Sequence, residues 1–283
     1  MKNPTSHNDV TSCMKTIKLN NGLKIPQLGL GVWQSGNGQE AIDAIHWALA
    51  AGYRHIDTAS IYKNEEAVGE AIRTADVPRE DIWLTTKIWN DDIRAGRTTE
   101  ALEEALARLG TDYVDLLLLH WPVDGYMAAW MALEQALAAG KVRAIGLSNF
   151  MEEHLTDIIE QGEILPAVNQ IEFHPYLVQA DAISYCDMHN IAITAWSPLM
   201  QGNFLKEPLF AEIGAAYGKT PAQVVLRWCL QNDIIIIPKS TNQGRIKENS
   251  EIFDFELSED HMIAIDELEK GEHFGPDPND FDF

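Results

Sequence analysis

Short β-rich runs alternate with amphipathic helical stretches along nearly the whole chain. Eight such runs begin near residue 30, in the order LGLGV, YRHIDT, IWLTTK, YVDLLLLH, VRAIGLS, AVNQIEF, IAITAWS and DIIIIPKS. Stretches such as LLLL and IIII lack polar alternation, which is typical of strands buried on both faces of a parallel sheet. Helical patterns such as TEALEEALARLG and TPAQVVLRWCLQN lie between several of the runs. The alternation therefore predicts parallel strands joined by helices.

Two local patterns refine this outline near the N-terminus. The dipeptide Asn21-Gly22 lies between TIKLN and LKIPQLG and favours the positive φ of a tight turn, so a β-hairpin is predicted. The stretch GQEAIDAIHWALAAG follows a helical period. Its expected buried face consists of Ala41, Ile42, Ile45, Ala48 and Leu49.

The number of strands and the chain length favour one closed (β/α)8 TIM barrel of the α/β class. The chain has 283 residues, and barrels of this kind commonly have about 250. No Pro/Gly/Ser-rich linker divides it, so residues 15–283 are predicted to form one domain after a flexible tail of residues 1–14. A doubly wound sheet is the alternative, but GLGVWQSG has Gln34 where the dinucleotide fingerprint GxGxxG requires glycine.

Charge and cysteine content exclude several classes of partner. The formal net charge of -22 predicts repulsion of nucleic acids and of anionic membrane surfaces. Cys13, Cys186 and Cys229 are odd in number and lack CxxC spacing, so we expect neither a disulfide framework nor a zinc site. No targeting segment or run of about 20 apolar residues is found in the sequence. These features favour a cytoplasmic location.

Ionisable side chains occur at the carboxyl ends of three successive predicted strands. Asp57 ends the second strand, Lys87 the third and His120 the fourth, while Tyr62 follows Asp57 in the next loop. All strands of a parallel barrel point the same way, so these residues are expected at one mouth, where active sites of this fold are built. Taken singly, each has a structural explanation, such as a helix cap for Asp57. Their coincidence at one rim favours a catalytic role for the set.

Motifs around these residues carry a family resemblance. The motifs are GYRHIDTASIY, TTKIW, LLLLHWP, IGLSNF, NQIEFHPY, AWSPLMQG and IPKSTNQGRIKEN. In this order they resemble the aldo-keto reductases, in particular the bacterial 2,5-diketogluconate reductase-like group, over nearly the whole chain. The resemblance implies a (β/α)8 barrel and NAD(P)H-dependent carbonyl reduction. It places the family's catalytic residues on Asp57, Tyr62, Lys87 and His120.

The same four residues suit the chemistry of carbonyl reduction, which needs a proton donor and stabilisation of a developing alkoxide. A free tyrosine has a pKa of about 10, so Tyr62 is expected to need tuning. A nearby Lys87 ammonium is predicted to lower the phenol pKa, with Asp57 holding the lysine in place. Tyr62 is then the general acid, and His120 orients the substrate oxygen. An alternative makes Lys87 a Schiff-base nucleophile for aldol chemistry. No metal is expected.

The hydride has to come from a bound carrier, because the chain has no redox group of its own for a two-electron reduction. Ser148 and Asn149 end the fifth strand and Gln170 lies in the sixth, where they resemble the family's clamp on the nicotinamide carboxamide. Asn149 has a second interpretation as a helix N-cap that forms a capping box with Glu152. The two roles are compatible at the level of sequence.

An aromatic residue ends the seventh predicted strand. Trp196 corresponds to the family's platform beneath the nicotinamide ring, with packing in the core as the alternative. Ser197 and Leu199 belong to the same AWSPLMQG motif and are further predicted cofactor contacts.

A group of polar residues follows the eighth strand and is predicted to bind the phosphate and adenine parts of a dinucleotide. The group consists of Lys239, Ser240, Thr241, Arg245, Glu248 and Asn249. The cations Lys239 and Arg245 near a helix start suit the extra 2′-phosphate of NADPH, since charge-assisted contacts are strong. Asn242 stands where some members of the family carry arginine. We therefore expect NADPH as the cofactor, with NADH as a weaker alternative.

Aromatic residues after four predicted strand ends are expected to form an apolar substrate slot. They are Trp33, Trp89, Trp121 and Phe150. The closing segment GEHFGPDPNDFDF resembles the family's C-terminal loop over the active-site mouth. The stretch after Trp121-Pro122 is short, which predicts an open site.

The substrate itself stays open at this level. Small aldehydes, dicarbonyls, keto sugars and keto acids all fit an open aromatic slot beside a proton donor. A second hypothesis is a redox-sensing module that binds NADPH with little turnover, for which channel-associated barrels of the family set the precedent. The resemblance also implies a monomer.

Overall fold

The structure, a computed structural model, describes residues 14–283. The predicted tail of residues 1–14 lies outside the described residues apart from Met14. The predicted hairpin is confirmed: β1 (Thr16–Lys18) pairs antiparallel with β2 (Lys24–Pro26). Gly22 in its turn has φ 87°, which glycine adopts without steric cost. Ile25 of β2 is fully buried in a cluster with residues of the barrel strands, so the hairpin contributes to the core.

Eight further strands form one parallel sheet. They are β3 (Leu30–Gly31), β4 (His55–Asp57), β5 (Trp83–Ile88), β6 (Val114–Leu119), β7 (Val142–Ser148), β8 (Val168–Glu172), β9 (Ala192–Trp196) and β10 (Ile235–Ile236). Each coincides with one of the β-rich runs of the sequence, and β5 extends one residue beyond its run, to Ile88. Every residue of β5 and β6 is buried, as expected for strands covered on both faces.

The strand order confirms the barrel and excludes the doubly wound alternative. From β3 to β10 every strand pairs with its neighbour in the chain, whereas a doubly wound sheet reverses its order at a switch point. Parallel bridges between Leu28 and Ile236 and between Gly31 and Lys239 join the two ends of the sheet. The carboxyl ends of all eight strands therefore surround one mouth.

Helices connect the strands. The α-helices within residues 14–283 are α1 (Gln39–Ala50), α2 (Glu65–Thr74), α3 (Asn90–Arg94), α4 (Thr98–Leu109), α5 (Tyr126–Ala138), α6 (Glu152–Gln161), α7 (Ala180–Met188), α8 (Pro208–Tyr217), α9 (Pro221–Gln231), α10 (Gln243–Ser250) and α11 (Glu259–Asp266). Short 3-10 helices cover Ser60–Tyr62, Arg79–Asp81 and Met200–Lys206. None of the helices in the part of the chain that the structure describes is long and apolar enough to cross a bilayer.

The α1 helix shows how the sequence pattern produces packing. Four of its five predicted face residues are buried, and Ile42 packs partly buried against the same core. Ala44 is buried as well, so the apolar stripe is one residue wider than the pattern indicated. The stretch between β6 and α5 is short, as predicted, because α5 begins at Tyr126.

Candidate active site

A buried ion pair lies at the carboxyl ends of β4 and β5. Lys87 Nζ is 2.5 Å from Asp57 Oδ1 and also donates to the backbone oxygen of Thr58 at 2.9 Å. Both charged side chains are almost completely excluded from solvent. A charge in such a position is tolerated only when it is paired and hydrogen-bonded, which both residues achieve here.

Tyr62 and His120 complete the cluster. The Tyr62 hydroxyl is 3.5 Å from Lys87 Nζ, and Tyr62 is the last residue of the 3-10 helix Ser60–Tyr62 that follows β4. The rings of Tyr62 and His120 meet edge to face with centroids 5.9 Å apart. The structure thus brings together the four residues that the strand ends indicated.

Burial dominates the protonation of Tyr62. The pKa of its phenol is raised by burial, and the Lys87 ammonium opposes this increase without overcoming it. The expectation of a lowered pKa is therefore wrong, although Lys87 acts in the predicted direction. The sequence could not weigh the two effects, since burial follows from tertiary packing. A phenol that stays protonated at neutral pH is in the form that donates a proton.

Lys87 and His120 respond to the site in opposite ways. Burial lowers the pKa of Lys87, but the Asp57 carboxylate and Tyr62 more than compensate, so the net pKa is raised and the ammonium is retained. Burial and then the Lys87 charge hold the pKa of His120 well below its usual value. A neutral imidazole and an ammonium therefore lie beside the phenol. A neutral Lys87 amine, which Schiff-base chemistry requires, is disfavoured.

The residues expected to clamp the carboxamide lie together and bond to one another. Asn149 Nδ2 donates to the backbone oxygen of His120 at 3.0 Å and to Ser148 Oγ at 3.1 Å. Asn149 Oδ1 accepts from Trp196 Nε1 at 2.8 Å. Gln170 Nε2 donates to an Asp57 oxygen at 2.8 Å. The predicted cofactor clamp is thus continuous with the Asp57–Lys87 pair.

The capping interpretation of Asn149 is wrong. Helix α6 begins after Met151, which has extended backbone, and no side chain caps its N-terminus. Asn149 has φ 63° and lies on the strand side of the connection, so its amide faces the barrel mouth instead of the helix. The position of Glu152 three residues later is therefore a coincidence of spacing.

The predicted phosphate and adenine residues lie after β10. Lys239 and Arg245 are exposed, and neither forms an ion pair with any residue from 14 to 283. Helix α10 begins at Gln243 with Asn242 as its cap, whose side chain accepts from the Arg245 backbone N–H. Two unpaired cations beside a helix N-terminus on a chain of charge -22 fit the binding of an anionic group.

The remaining residues of that group differ in accessibility. Ser240 and Asn249 are buried, Thr241 is partly exposed, and Ser240 Oγ accepts from the Asn242 backbone N–H. Glu248 is partly exposed, and one of its carboxylate oxygens accepts from the Thr220 hydroxyl at 2.9 Å. Glu248 is therefore fixed between α9 and α10. Ser197, with φ 51°, and Leu199 are partly exposed just after β9.

Aromatic side chains form one wall of the mouth next to His120. Trp89 meets the His120 ring edge to face at 5.1 Å. Trp121 is 5% exposed, whereas Trp33 is 46% exposed on another part of the rim. Phe150 is fully buried and packs against Tyr126, so the structure does not place its ring on the accessible wall. Phe150 follows β7, and its ring packs at the start of helix α5 instead.

Residues 27–270 of the chain match the aldo/keto reductase family. The chain belongs to this family.

Three similar proteins are reductases. The 9,11-endoperoxide prostaglandin H2 reductase of Trypanosoma cruzi is 49% identical over 94% of this chain and 95% of its own. The glyoxal reductase of Bacillus subtilis is 48% identical over 96% and 99%. The methylglyoxal reductase DkgA of Escherichia coli is 44% identical over 94% and 97%.

Solved aldo-keto reductases share the fold. An enzyme from a Medee basin deep-sea metagenome library superimposes with a TM-score of 0.92 at 40% identity, covering 94% of this chain and 100% of the other. A Bombyx mori aldo-keto reductase in complex with NADP superimposes with a TM-score of 0.84 at 34% identity, covering 92% and 94%.

Three features of this aldo-keto reductase site were missed by the sequence. Gln170 was assigned to the cofactor but also contacts Asp57. The closing segment was expected over the mouth, but Phe281 and Phe283 were not singled out; their rings pack against Trp121, with centroids 4.8 and 5.1 Å away. The alternating Phe-Asp-Phe at the end of the chain was a usable signal, since two rings on one side of an extended segment need an apolar surface.

Proposed function

We propose that this aldo-keto reductase reduces small aldehydes and ketones with NADPH, and that Tyr62 donates the proton. The observation that carries the proposal is the Tyr62 hydroxyl 3.5 Å from the Nζ atom of a fully buried Lys87–Asp57 pair, with the His120 ring edge to face beside it. NADPH, when bound, supplies the hydride. Ser148, Asn149, Gln170, Trp196, Ser197 and Leu199 are the proposed residues for its nicotinamide half.

The proton donor works through its neighbours. As the carbonyl oxygen becomes an alkoxide, Tyr62 gives up its proton, and the Lys87 ammonium stabilises the phenolate that remains. Asp57 keeps that ammonium in place and compensates its charge. The backbone oxygen of His120 accepts a hydrogen bond from Asn149, which fixes the residue in place. Its neutral ring is suited to donating a hydrogen bond to the substrate oxygen.

The exposed cations Lys239 and Arg245 support NADPH over NADH, because only NADPH carries the 2′-phosphate. Thr241, Ser240, Glu248 and Asn249 are the proposed neighbours of that phosphate and of the adenine. The Asn242 side chain caps α10. An arginine at this position would instead offer a further contact to the phosphate.

The substrates that we propose are uncharged dicarbonyls and small aldehydes. Two relatives are named for glyoxal and methylglyoxal, while one of similar identity is named for a prostaglandin endoperoxide, so overall identity does not select the substrate. Trp33, Trp89 and Trp121 are the proposed walls of the slot, with Phe150 supporting them from behind. An aromatic slot suits small carbonyl compounds with little charge.

The test is NADPH consumption with a panel of glyoxal, methylglyoxal, small aldehydes and keto acids, for the wild type and Tyr62→Phe. We expect turnover by the wild type and a decrease of about 10²–10⁴-fold in the variant, with NADPH affinity retained. Negligible turnover of every compound, together with tight NADPH binding, would favour the redox-sensing module. Full activity of Tyr62→Phe would exclude the phenol as the acid.

A further inference from the structure

The end of strand β8 carries a carboxylate that the proposed mechanism does not use. Glu172 is fully buried, and in the part of the chain that the structure describes it has no lysine or arginine partner. A buried charge of this kind requires several hydrogen-bond donors to be stable. The residues that provide these donors therefore show which segment of the chain the carboxylate binds.

Most of the donors come from the C-terminal segment, which we define as residues 273–275. Glu172 Oε1 accepts from the Phe274 backbone N–H at 2.8 Å, and the Gly275 N–H is 3.3 Å from both carboxylate oxygens. His273 Nδ1 is 3.2 Å from Oε2. His174 Nε2, at 3.0 Å from Oε1, is the one donor from the strand side among the described residues.

The balance of these contacts favours the ionised form of Glu172. Burial raises the pKa of the carboxyl group, but the hydrogen bonds from His174 and from the Phe274 and Gly275 backbone outweigh it, so the net pKa is lowered. Undocking of the C-terminal segment would remove three of the four donors and leave a buried charge with His174 alone. Glu172 therefore stabilises the docked position of the segment.

The C-terminal segment packs against Trp196. A Cβ atom at Gly275 would lie 2.3 Å from the Cη2 atom of the Trp196 indole, so the backbone of the segment lies directly against the ring. On its other edge the same indole donates to Asn149. Gln201, which follows β9, donates to the Phe274 backbone oxygen at 3.0 Å. Trp196 is thus confined between Asn149 and the C-terminal segment.

We infer that Glu172 is a positioning residue for Trp196: by docking residues 273–275 it keeps Gly275 against the indole and so fixes the proposed nicotinamide platform. This inference rests on the proposed function, because it assigns the consequence to the nicotinamide half of the cofactor. Glu172 and Trp196 are register partners on β8 and β9, but the Glu172 carboxylate forms no hydrogen bond with Trp196 or with any of the four proposed catalytic residues.

Two variants test this inference by independent routes. Glu172→Gln keeps the size of the side chain but places an amide N–H₂ against backbone donors, which weakens docking. Gly275→Ala leaves the carboxylate unchanged and forces the segment and the indole apart. The matched control is Glu269→Gln, at a carboxylate just before the C-terminal segment, which accepts from the backbone N–H groups of Val178 and Gly271.

The readout compares two ligands: NADPH, and adenosine 2′,5′-bisphosphate, which lacks the nicotinamide. In both variants we expect NADPH affinity and kcat to fall by about tenfold while the affinity for the bisphosphate stays at the wild-type value. The control should change neither. Equal losses of affinity for both ligands would overturn the inference. Unchanged NADPH binding in Gly275→Ala would also overturn it, and this variant decides the test if Glu172→Gln fails to fold.

The outcomes separate this inference from the function on which it rests. A wild-type protein that neither binds NADPH nor reduces any carbonyl would refute the proposed function itself. A wild type that turns over normally, with both variants equal to it, would refute only the positioning role of Glu172.

Discussion

Gln170 donates a hydrogen bond from Nε2 to Asp57 Oδ2 over 2.8 Å, on the oxygen opposite to the one that Lys87 binds. The two carboxylate oxygens of Asp57 are thereby divided between the proposed cofactor clamp and the proposed catalytic lysine. Gln170 Oε1 has no hydrogen-bond partner among residues 14–283, so it is available to the carboxamide of the proposed cofactor. The same side chain thus connects the two halves of the site.

Replacing Gln170 by leucine should damage both halves. The variant leaves one oxygen of a buried carboxylate without its donor, so we expect the free energy of unfolding to fall by about 1.5–3 kcal/mol, measured by urea titration. Asn169→Leu is the control, since Asn169 is equally buried but bonds to the Phe150 backbone. At a similar loss of stability, kcat/KM should fall more in Gln170→Leu. Equal losses of kcat/KM would contradict the connection.

The pH dependence of the reaction should follow the raised pKa of Tyr62. Reduction requires the protonated phenol, so its kcat/KM is expected to stay level through neutral pH and to fall only above the usual tyrosine value of about 10. The reverse oxidation of an alcohol requires the phenolate, so its rate should rise with pH. Lys87→Met removes the charge that opposes the increase in the Tyr62 pKa. The decrease of kcat/KM for reduction on the alkaline side of the profile should then move to higher pH.

These profiles are measured in both directions for the wild type and Lys87→Met, over the range in which the protein stays folded. A limb near neutral pH in the wild type would mean that the phenol is not the titrating donor. A limb that moves to lower pH in Lys87→Met would contradict the sign of the Lys87 effect.

The fold and the four clustered residues were predictable because they depend on chain topology. Continuous apolar runs indicate strands buried on both faces, and parallel strands bring their carboxyl ends together whatever the packing details. Asp57, Lys87 and His120 follow from this argument alone. The Asn21-Gly22 hairpin was equally predictable, since it depends on the φ preference of two residues.

The other features depend on contacts between distant parts of the chain. The direction of the Gln170 amide is decided by a partner 113 residues away. The net pKa of Tyr62 depends on how deeply the phenol is buried, which no local pattern records. The prediction of a capping box at Asn149 was wrong because the Asn149 side chain bonds to Trp196, Ser148 and His120 instead.

Arg245 should contribute to the preference for NADPH. We expect Arg245→Ala to lower the ratio of NADPH affinity to NADH affinity by about tenfold, because a charge-assisted contact to the 2′-phosphate is lost. Lys247→Ala removes a cation from the same helix, but Lys247 Nζ lies 3.8 Å from Glu251 and serves as the control. Both affinities are measured by calorimetry at one salt concentration. An unchanged ratio in Arg245→Ala would remove this residue from the phosphate site.

Phe283 should restrict the size of the substrate. Its ring stacks on Trp89 with an interplanar angle of 6° and a centroid distance of 5.8 Å, and Trp89 in turn contacts His120. Its backbone oxygen accepts a hydrogen bond from Arg94 at 2.8 Å. Phe283 is therefore fixed both through its ring and through its backbone.

Phe283→Ala removes the ring and uncovers Trp89. An aromatic contact of this kind is worth about 1 kcal/mol, so KM for methylglyoxal should rise by about fivefold while kcat changes little. A bulkier carbonyl such as benzaldehyde gains space on Trp89, and the ratio of its kcat/KM to that of methylglyoxal should increase. Met188→Ala, at an exposed apolar residue of α7, should leave both parameters unchanged. If the ratio stays constant in Phe283→Ala, the ring does not border the space in which the substrate binds.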